Sequence, residues 1–486
     1  MSRFLPLAYF QKPLEQGYKL LPLRFAPLNA DEVVITNQAG EWSVISRRTL
    51  NALVRHQLSY DDPEYDALKA KHFLIDNDSD VALDLLALKV RTKLQHLSTF
   101  TALHIFVVTL RCEHSCPYCQ VSRQSDDRLA YDMSKETAEK ALAIVFRSPS
   151  PAIKIEFQGG EPLLNFELIR YIVLRAKEIN EIEKRDLQFV IATNLAVVTD
   201  EMLLFCKEHD ILISTSLDGP RDIHNKNRPR PGGDSYERAI AGIKRAREVL
   251  GHDRVGALMT TTVRSLSYVN EIIDEYVSLG FEGIFLRPLS PYGFAIKTRS
   301  FAAYNRDAWL RFYKDGLAKI IELNKSGIRF VEFYAATILT KMLTPSNPGY
   351  VDLMSPAGIG IAAMVYNYDG DVYASDEGRM LAEMGDKKFR LGNLHRDSYE
   401  DIVLSDALLN PIEESYTGCV PMCSECAFEP FCGADPVYHY ATQGDVVGRK
   451  PTSDFCSRNT EIFKHLIELM RGDRQIRAIF QTWATR

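Results

Sequence analysis

Between residues 103 and about 340, short apolar runs alternate with longer amphipathic ones, and this alternation allows few architectures. The apolar runs have strand length: LHIFVVTL, IKIEF, QFVIATN, ILISTSL, VGALMTTT and GIFLRPL. The runs between them repeat apolar residues at helical spacing, as in MSKETAEKALAIVF and SYERAIAGIKRAREVL. Strands joined by helical crossovers form a parallel sheet covered by helices. The fold class is therefore α/β, as an open sheet or an incomplete barrel.

The flanking regions lack this alternation and predict separate modules. In residues 1–95, VVITN and EWSVIS form a hairpin, and three helical patterns follow, the first capped by Ser46. This order is typical of a winged-helix-like fold. From residue 344 to residue 486 a hairpin-like segment precedes a cysteine-rich stretch and the amphipathic helix RNTEIFKHLIELMRG, which we expect to close the chain. We expect three domains, at residues 1–95, 100–343 and 344–486.

The overall charge and the apolar runs exclude some functional classes. The chain has 486 residues and a formal net charge of −6, which argues against binding to nucleic-acid phosphates. Its longest apolar stretches reach half the length of a membrane span, and the segment MSRFLPLAYFQKP lacks the features of a secretory signal. We therefore expect a cytoplasmic protein without nucleic-acid or membrane partners.

The cysteines are clustered, which in a reducing compartment indicates metal ligands rather than disulfides. Cys206 lies alone in the helical run EMLLFCKEHD and is predicted to be a buried apolar side chain. The other eight of the nine cysteines form two groups: Cys112, Cys116 and Cys119, then Cys419, Cys423, Cys426, Cys432 and Cys456.

The first group supplies three thiolates with no fourth cysteine nearby. Three cysteines that hold a four-iron cluster leave one iron open, whereas zinc needs a fourth ligand, for which only His114 lies in the loop. The spacing favours iron–sulfur over zinc or a structural role. In the second group, Cys423, Cys426, Cys432 and Cys456 fit a second cluster or a zinc ion equally well.

Two segments with candidate chemistry each follow a predicted strand. The first cysteine group follows the first strand and the turn FQGGEP follows the second. Since ligands collect at the carboxyl ends of parallel strands, we expect both at one edge of the sheet.

Four strings in this order resemble the radical S-adenosylmethionine (SAM) superfamily over residues 100 to about 340: CEHSCPYC, EFQGGEPLL, ATN and STSLDGPRDIHNKNR. The resemblance implies a partial (β/α)6 barrel and a [4Fe-4S] cluster whose open iron binds the amino and carboxylate groups of SAM. It further implies reductive cleavage of SAM to a 5′-deoxyadenosyl radical that abstracts hydrogen from a substrate.

The same resemblance assigns the cofactor contacts. It implies that Gly159, Gly160 and Glu161 contact the methionyl ammonium of SAM and that Tyr118 lies near the adenine. It also implies that Asn194 and Ser216 contact the ribose and that Arg228 pairs with the methionyl carboxylate. Each has a plainer interpretation from the residues alone: a strand-to-helix turn, core packing, turn caps and a surface arginine.

The C-terminal cysteines resemble the SPASM auxiliary-cluster domain of peptide-modifying enzymes. At other ligand positions of that pattern this chain has Ser355, Ser375 and Pro436, so the resemblance implies one auxiliary cluster and two [4Fe-4S] clusters in all. Asp376 follows Ser375 and matches the catalytic base of sulfatase-maturing members, with a solvated hairpin acid as the alternative. Glu377 and Arg379 are further candidates for the substrate pocket.

Two longer strings narrow the resemblance. FEPFCGADPVYHYATQGD and the YNYDGDVY…DEGRML segment most resemble the maturase of His-Xaa-Ser repeat peptide systems. The N-terminal module resembles winged-helix elements that bind precursor leaders as an added strand, with a structural lid as the alternative.

The predicted function is a radical SAM maturase. It would abstract hydrogen from a ribosomal precursor peptide and form a side-chain crosslink, with an external electron donor. The alternatives are oxidation of Ser or Cys to formylglycine, or a zinc-stabilised peptide-binding scaffold without enzymatic activity.

Overall fold

A computed structural model of the chain describes residues 6–12, 17–78 and 81–485. The segment MSRFLPLAYFQKP, which we expect not to be a secretory signal, lies partly outside these described residues. No helix among the described residues is long and apolar enough to cross a membrane.

The first module contains an antiparallel sheet of three strands, in the order Leu23–Pro27, Glu32–Asn37 and Trp42–Ser46, followed by helices. Ser46 accepts a hydrogen bond from the Thr49 backbone N–H and caps the helix that follows the hairpin. The elements are α1 (Leu7–Gln11), β1 (Lys19–Leu20), β2 (Leu23–Pro27), β3 (Glu32–Asn37), β4 (Trp42–Ser46), α2 (Arg47–Val54), α3 (Tyr65–Ala70), β5 (Leu74–Ile75) and α4 (Ala82–Leu94).

The central region alternates strands and helices as the apolar pattern predicts. Its elements are β6 (Leu103–Thr109), α5 (Arg128–Tyr131), α6 (Lys135–Val145), β7 (Ala152–Gly159), α7 (Phe166–Glu183), β8 (Asp186–Thr193), α8 (Asp200–Glu208), β9 (Ile211–Ser216), α9 (Arg221–Asn227), α10 (Ser235–Leu250), β10 (Val255–Leu258), α11 (Val269–Ser278), β11 (Gly283–Ile284), α12 (Phe294–Lys297), α13 (Arg306–Lys325), β12 (Val331–Glu332) and α14 (Phe333–Leu343).

The C-terminal region adds a hairpin and several helices. The amphipathic helix expected to close the chain lies at Asp454–Gly472, and a further helix at Arg474–Ala484 follows it. The elements are β13 (Ala363–Tyr366), β14 (Asp371–Tyr373), α15 (Asp376–Ala382), β15 (Arg390–Asn393), α16 (Tyr399–Val403), α17 (Asp406–Glu414), α18 (Pro436–Gln443), α19 (Asp454–Gly472) and α20 (Arg474–Ala484).

The main sheet has eight strands, in the order β10-β9-β8-β7-β6-β13-β14-β15. Strands β6 to β10 are parallel, and their register aligns their carboxyl ends, since Thr109 pairs with Gly159 and Thr193 with Thr215. Buried residues alternate along β7, at Ile153, Ile155 and Phe157 of its helix-covered core face. The α/β fold is thus the one that the alternation predicts, and the site lies where the strands end.

The sheet differs from the sequence expectation at both edges. The sixth apolar run forms only the two-residue strand β11, which pairs with β12 rather than with the main sheet. One hydrogen bond, from the Thr261 N–H to the Arg287 C=O (3.1 Å), joins it to the segment after β10. At the other edge, β13 from the C-terminal region pairs in parallel with β6. Pairing between segments so distant in sequence leaves no local pattern to predict it.

The N-terminal module lies against the cysteine-rich C-terminal region. Arg24 donates to the Glu429 carboxylate (2.8 Å), and the Thr36 hydroxyl donates to the Ala427 C=O (2.7 Å). The module also touches the central region, where the Trp42 indole donates to the Met342 C=O in α14 (3.0 Å). The module therefore covers the loop that carries the second cysteine group.

Candidate active site

A cavity of about 290 Å³ opens at the carboxyl end of the parallel strands. It collects residues that are far apart in sequence, from the loop after β6 to the first turn of α15. Its walls include almost every site residue that the sequence predicts around the first cluster: Cys112, Cys116, Tyr118, Cys119, Gly159, Gly160, Asn194, Ser216, Arg228 and Asp376. We call this space the radical cavity.

The loop that carries the first three cysteines is fixed at its root by a buried arginine. Arg111 directly precedes Cys112 and is 3% exposed. It pairs with both carboxylate oxygens of Asp132 (2.8 and 2.9 Å) and donates to the Leu164 C=O (2.8 Å). A bidentate pair fixes direction as well as distance, so the first thiol of the loop starts from a rigid point.

The glycines after β7 allow the close approach of two backbone segments. The Gly160 N–H donates to the Thr109 C=O (2.8 Å), and the Glu161 N–H donates to the Arg111 C=O (2.7 Å). A Cβ on Gly160 would lie 2.2 Å from the Arg111 carbonyl oxygen. Glycine is therefore needed here because the backbone packs against the cysteine loop. This reason is independent of any contact with a ligand.

Glu161 differs from its expected role. Its side chain is fully buried and is not among the residues that line the radical cavity. The carboxylate accepts hydrogen bonds from the Thr193 hydroxyl (2.6 Å), the Asn194 N–H (2.8 Å) and the Leu163 N–H (3.0 Å). Burial raises the pKa of Glu161 to about 8, and nearby Glu113 adds to the rise. Glu161 thus holds the ends of β7 and β8 together, and a direct contact of its carboxylate with SAM is not what this geometry supports.

A buried network links Tyr118 to Arg228 through an acid that the sequence analysis missed. Asp218 is fully buried, accepts from the Tyr118 hydroxyl (2.5 Å) and pairs with the Arg228 guanidinium (3.1 Å). Burial alone would raise the pKa of Asp218, but Arg228 and the hydrogen bonds lower it. The guanidinium also lies 5.6 Å from the centre of the Tyr118 ring. Arg228 is therefore held at the cavity wall and is not a surface arginine.

His114 does not offer a nitrogen to a metal. Its Nδ1 lies 2.9 Å from Glu113 and 3.0 Å from the Asn194 amide, and its Nε2 lies 2.7 Å from the Ser235 hydroxyl. Both ring nitrogens are thus used by protein partners, although Cys112, Glu113 and His114 place ligand atoms within 4.8 Å of one another. This weakens the case for zinc at the first cysteine group, which relied on His114.

Asp376 is the first residue of α15 and lines the radical cavity. Its carboxylate accepts from the Arg379 Nε (3.0 Å), and Arg379 is 1% exposed. The Asp376 side chain keeps 17% of its surface exposed. It is therefore a held carboxylate that faces the cavity and not the solvated hairpin acid of the alternative interpretation.

The second cysteine group lies beside the N-terminal module. Cys423, Cys426, Cys432 and Cys456 are each partly buried, whereas Cys419 is exposed. Burial raises the pKa of Cys432 to about 12 and that of Cys423 to about 11, with the neighbouring thiols adding to the rise in both. Cysteine thiolates are the donors that a metal cluster requires, and this region supplies four partly buried ones.

The positions where the SPASM pattern would have further ligands serve other tasks. The Ser355 hydroxyl lies 2.5 Å from the Thr417 hydroxyl, and the Ser375 hydroxyl caps α15 by accepting from the Gly378 N–H (3.1 Å). Pro436 is the first residue of α18. Their local roles agree with one auxiliary site rather than two.

The radical cavity has the chemistry of a site for a charged, polar cofactor bound to a metal group. Burial raises the pKa of Cys116 to about 12, so its thiolate needs a positive group for stability. Two buried wall atoms, the Arg228 Nε and the Thr215 Oγ1, have no hydrogen-bond partner among the described residues. Since buried polar atoms are nearly always paired, both fit contacts to a bound ligand.

The sequence of the central region matches a known family. Residues 106–276 match the model described as the Radical SAM superfamily. The chain belongs to the radical SAM superfamily. An uncharacterized protein of Methanocaldococcus jannaschii is 30% identical to this chain over 190 residues. The match covers 38% of this chain and 62% of the length of that protein. A cysteine-type anaerobic sulfatase-maturating enzyme of Clostridium perfringens is 23% identical over 336 residues, which are 66% of this chain and 84% of that enzyme.

Solved structures share the fold of this radical SAM enzyme. The structure of anSMEcpe with bound AdoMet superposes with a TM-score of 0.62 at 18% identity, and the match covers 78% of this chain and 99% of that one. Streptococcus suis SuiB bound to precursor peptide SuiA gives a TM-score of 0.52 at 14% identity, over 88% of this chain and 97% of that one. The α/β radical SAM fold is confirmed, with a cysteine-rich C-terminal region beyond it.

The sequence analysis missed three charged residues that position or line the site. Asp218 lies in the string SLDGP, where its place between a strand and a glycine resembles a turn. Arg111 precedes the first cysteine, and nothing in its neighbourhood indicates the partner Asp132. Arg287 also reaches the radical cavity, from the segment after β11. A charged residue at the end of an apolar strand is the one signal that could have found Asp218 and Arg287.

Proposed function

We propose that this radical SAM enzyme oxidatively modifies a side chain of a ribosomally made precursor peptide, with a crosslink as the product. The observation that carries the proposal is the radical cavity, which is lined both by the three cysteines of the first group and by Asp376. When bound there, a [4Fe-4S] cluster and SAM would supply the 5′-deoxyadenosyl radical that abstracts hydrogen from the substrate.

The chain's own residues divide the work around that cavity. Cys112, Cys116 and Cys119 are the proposed cluster ligands. Arg228, held by Asp218, offers a guanidinium to the carboxylate of SAM, and the carboxyl ends of β8 and β9 offer Asn194 and Ser216 to its ribose. In Asn194, the amide oxygen accepts from the Ala196 N–H (2.8 Å) and the amide nitrogen lies 3.0 Å from the His114 Nδ1, so both ends of the amide are held in place by protein partners.

Asp376 is the proposed general base. Only one of its carboxylate oxygens accepts from Arg379, and the residue lines the cavity, so the other oxygen can take up a proton from the substrate. Oxidation of the substrate also releases an electron. We assign its uptake to an auxiliary [4Fe-4S] cluster on Cys423, Cys426, Cys432 and Cys456, from which it would pass to an external acceptor. An external donor would supply the electron that SAM cleavage consumes.

The N-terminal module is the proposed site for the precursor leader. Its strand β2 is an edge of the three-stranded sheet, contains Pro27 and exposes 53% of Phe25. Proline is confined to edge strands, and an edge strand with an exposed aromatic suits the addition of a peptide strand. Streptococcus suis SuiB, which shares the fold, has been solved with its precursor peptide.

A second candidate function is the oxidation of a Ser or Cys residue to formylglycine. It is supported by the similarity to the Clostridium perfringens sulfatase-maturating enzyme and by the position of Asp376 in the cavity. The membership of the His-Xaa-Ser maturase subfamily and a cytoplasmic location remain part of the first proposal.

Mass spectrometry of treated peptides distinguishes the two functions. The reconstituted enzyme would receive SAM and a reductant, with a synthetic peptide of His-Xaa-Ser repeats in one reaction and a sulfatase-type peptide with a central Cys or Ser in another. A crosslink removes two hydrogen atoms and gives no aldehyde, whereas formylglycine reacts with an aminooxy probe. Aldehyde in the sulfatase-type peptide alone would overturn the crosslinking proposal.

A further inference from the structure

A second, smaller cavity adjoins the radical cavity. We call it the acidic chamber, and its polar walls include Arg287, Tyr292, Asp352, Glu377, Asp435 and Arg458. Arg287 lines both cavities. Asp376 lines the radical cavity and the next residue, Glu377, lines the chamber, so the two spaces meet at the first turn of α15.

The chamber contains more acids than bases. Three carboxylates share the chamber with two guanidiniums, and within the described part of the chain a single ion pair joins the two sets, from the Arg287 Nη2 to the Glu377 Oε1 at 3.7 Å. Burial raises the pKa of Glu377 to about 7, and Asp352 and Asp376 add to the rise. Burial also raises the pKa values of Asp352 and Asp435. Buried charge is costly unless it is paired, and the set holds one carboxylate more than its two guanidiniums can pair, so a proton or one bound cation would balance it.

Unpartnered polar atoms give a second, independent sign of a ligand. Tyr292 is 1% exposed, and its hydroxyl has no hydrogen-bond partner among the described residues. The charges that most affect this hydroxyl are those of Asp435, Glu377 and Asp352, so it lies among the chamber acids. The Arg458 Nε is buried and likewise unpaired within the described part of the chain. Such groups in a native protein ordinarily meet a ligand or ordered water.

The size of the chamber and the spacing of its acids define the ligand. A cavity of about 40 Å³ has room for about three water-sized probes, which fits the head group of one side chain. Among the described residues, Asp352, Glu377 and Asp435 do not form a group whose oxygen atoms all lie within 4.8 Å of one another. A bare metal ion needs such closeness, whereas a cation of several atoms can span wider acids.

We propose that the acidic chamber is a substrate subsite that binds the cationic head group of a lysine, arginine or histidine side chain. This rests on the proposed function, in which the substrate is a peptide. Because the chamber and the radical cavity share a wall, the bound cation belongs to a residue close to the one that is modified. The chamber acids lie within three residues of Ser355, Ser375 and Pro436, so the subsite stands where the SPASM pattern would have further cluster ligands.

Small probes test the chamber without knowledge of the precursor. The probes are n-butylguanidinium chloride, its neutral isostere N-butylurea, and sodium butyrate, titrated calorimetrically into the full-length reconstituted enzyme at fixed ionic strength. We expect saturable binding of the guanidinium alone. Glu377→Gln and Asp435→Asn should each weaken it by about tenfold, because each removes a charged partner. Asn at position 435 can still cap α18, where Asp435 now accepts from the Tyr438 N–H.

The matched control is Glu181→Gln, an exposed acid in α7, which should bind the probe as the wild type does. Equal binding of N-butylurea, preference for butyrate, or unchanged affinity in both chamber variants would overturn the proposal. So would a crystal structure soaked with the guanidinium that contains ordered water only. SAM cleavage and peptide modification are measured on the same preparation, so loss of these with intact guanidinium binding would overturn the proposed function and not the subsite.

Discussion

At the scale of single residues, Asp376 separates radical formation from completion of the product. It has no place among the proposed ligands, yet it faces the radical cavity from α15. Asp376→Asn keeps the shape and removes the base, so we predict clusters and SAM binding near normal, some 5′-deoxyadenosine, and little modified peptide. Chromatography of both products checks this. A wild-type rate of peptide modification would show that another group is the base.

The same substitution has a cost in stability. Arg379 is almost fully buried and would lose its carboxylate partner, which should lower the free energy of unfolding by about 2 kcal/mol. Thermal unfolding of the variant therefore belongs beside its kinetics. Loss of iron from the Asp376→Asn variant would instead show that Asp376 is a cluster ligand. That result would contradict the assignment of a single auxiliary cluster held by cysteines alone.

At the scale of elements, the turn after β7 is predicted to shape the cysteine loop. In Gly160→Ala the new methyl group would meet the Arg111 carbonyl oxygen at 2.2 Å, and overpacking of this kind costs about 1–3 kcal/mol. Since Arg111 precedes Cys112, we expect the variant to bind less iron at the first site while the rest of the chain folds. The matched control is Gly256→Ala in β10, where a Cβ would meet nothing within 4 Å. Equal iron content in both variants would contradict the account of this turn.

The edge strand β2 gives a second prediction at this scale. Phe25→Ser should weaken binding of the full precursor by about tenfold, because an exposed aromatic on a peptide-binding edge contributes strongly to affinity. SAM cleavage without peptide should be unaffected. Fluorescence anisotropy of a labelled precursor measures the affinity, with Ile182→Ser, an 84% exposed position on α7, as the control. If both variants bind the precursor as the wild type does, the module is a lid.

How far the sequence predicts the structure also depends on the element. Strands β6 to β10 were predictable because each is an apolar run between helical patterns. Strand β13 joins the sheet through contacts with residues more than 250 positions away, which no local pattern encodes. The same holds for the site. The three cysteines and Arg228 lie in strings that resemble a family, whereas Asp218 and the chamber acids acquire their roles only when distant segments meet.

At the scale of the whole molecule, metal content tests the count of clusters. Seven assigned thiolates imply two four-iron clusters, or about eight irons per chain. Anaerobic iron and sulfide analysis should give this value, and chelation of the iron should abolish SAM cleavage. About twelve irons would show a third cluster despite Ser355, Ser375 and Pro436. Stoichiometric zinc without iron would support a structural scaffold.

The most direct measurement of the central claim is the yield of 5′-deoxyadenosine from reduced enzyme and SAM. Cys116→Ala removes one of the three thiols of the radical cavity, and Cys206→Ala removes a thiol that is 2% exposed in the core. We predict product from the wild type and from Cys206→Ala, and none from Cys116→Ala. Equal yield from Cys116→Ala and the wild type would contradict the assignment of this cavity as the site of radical formation.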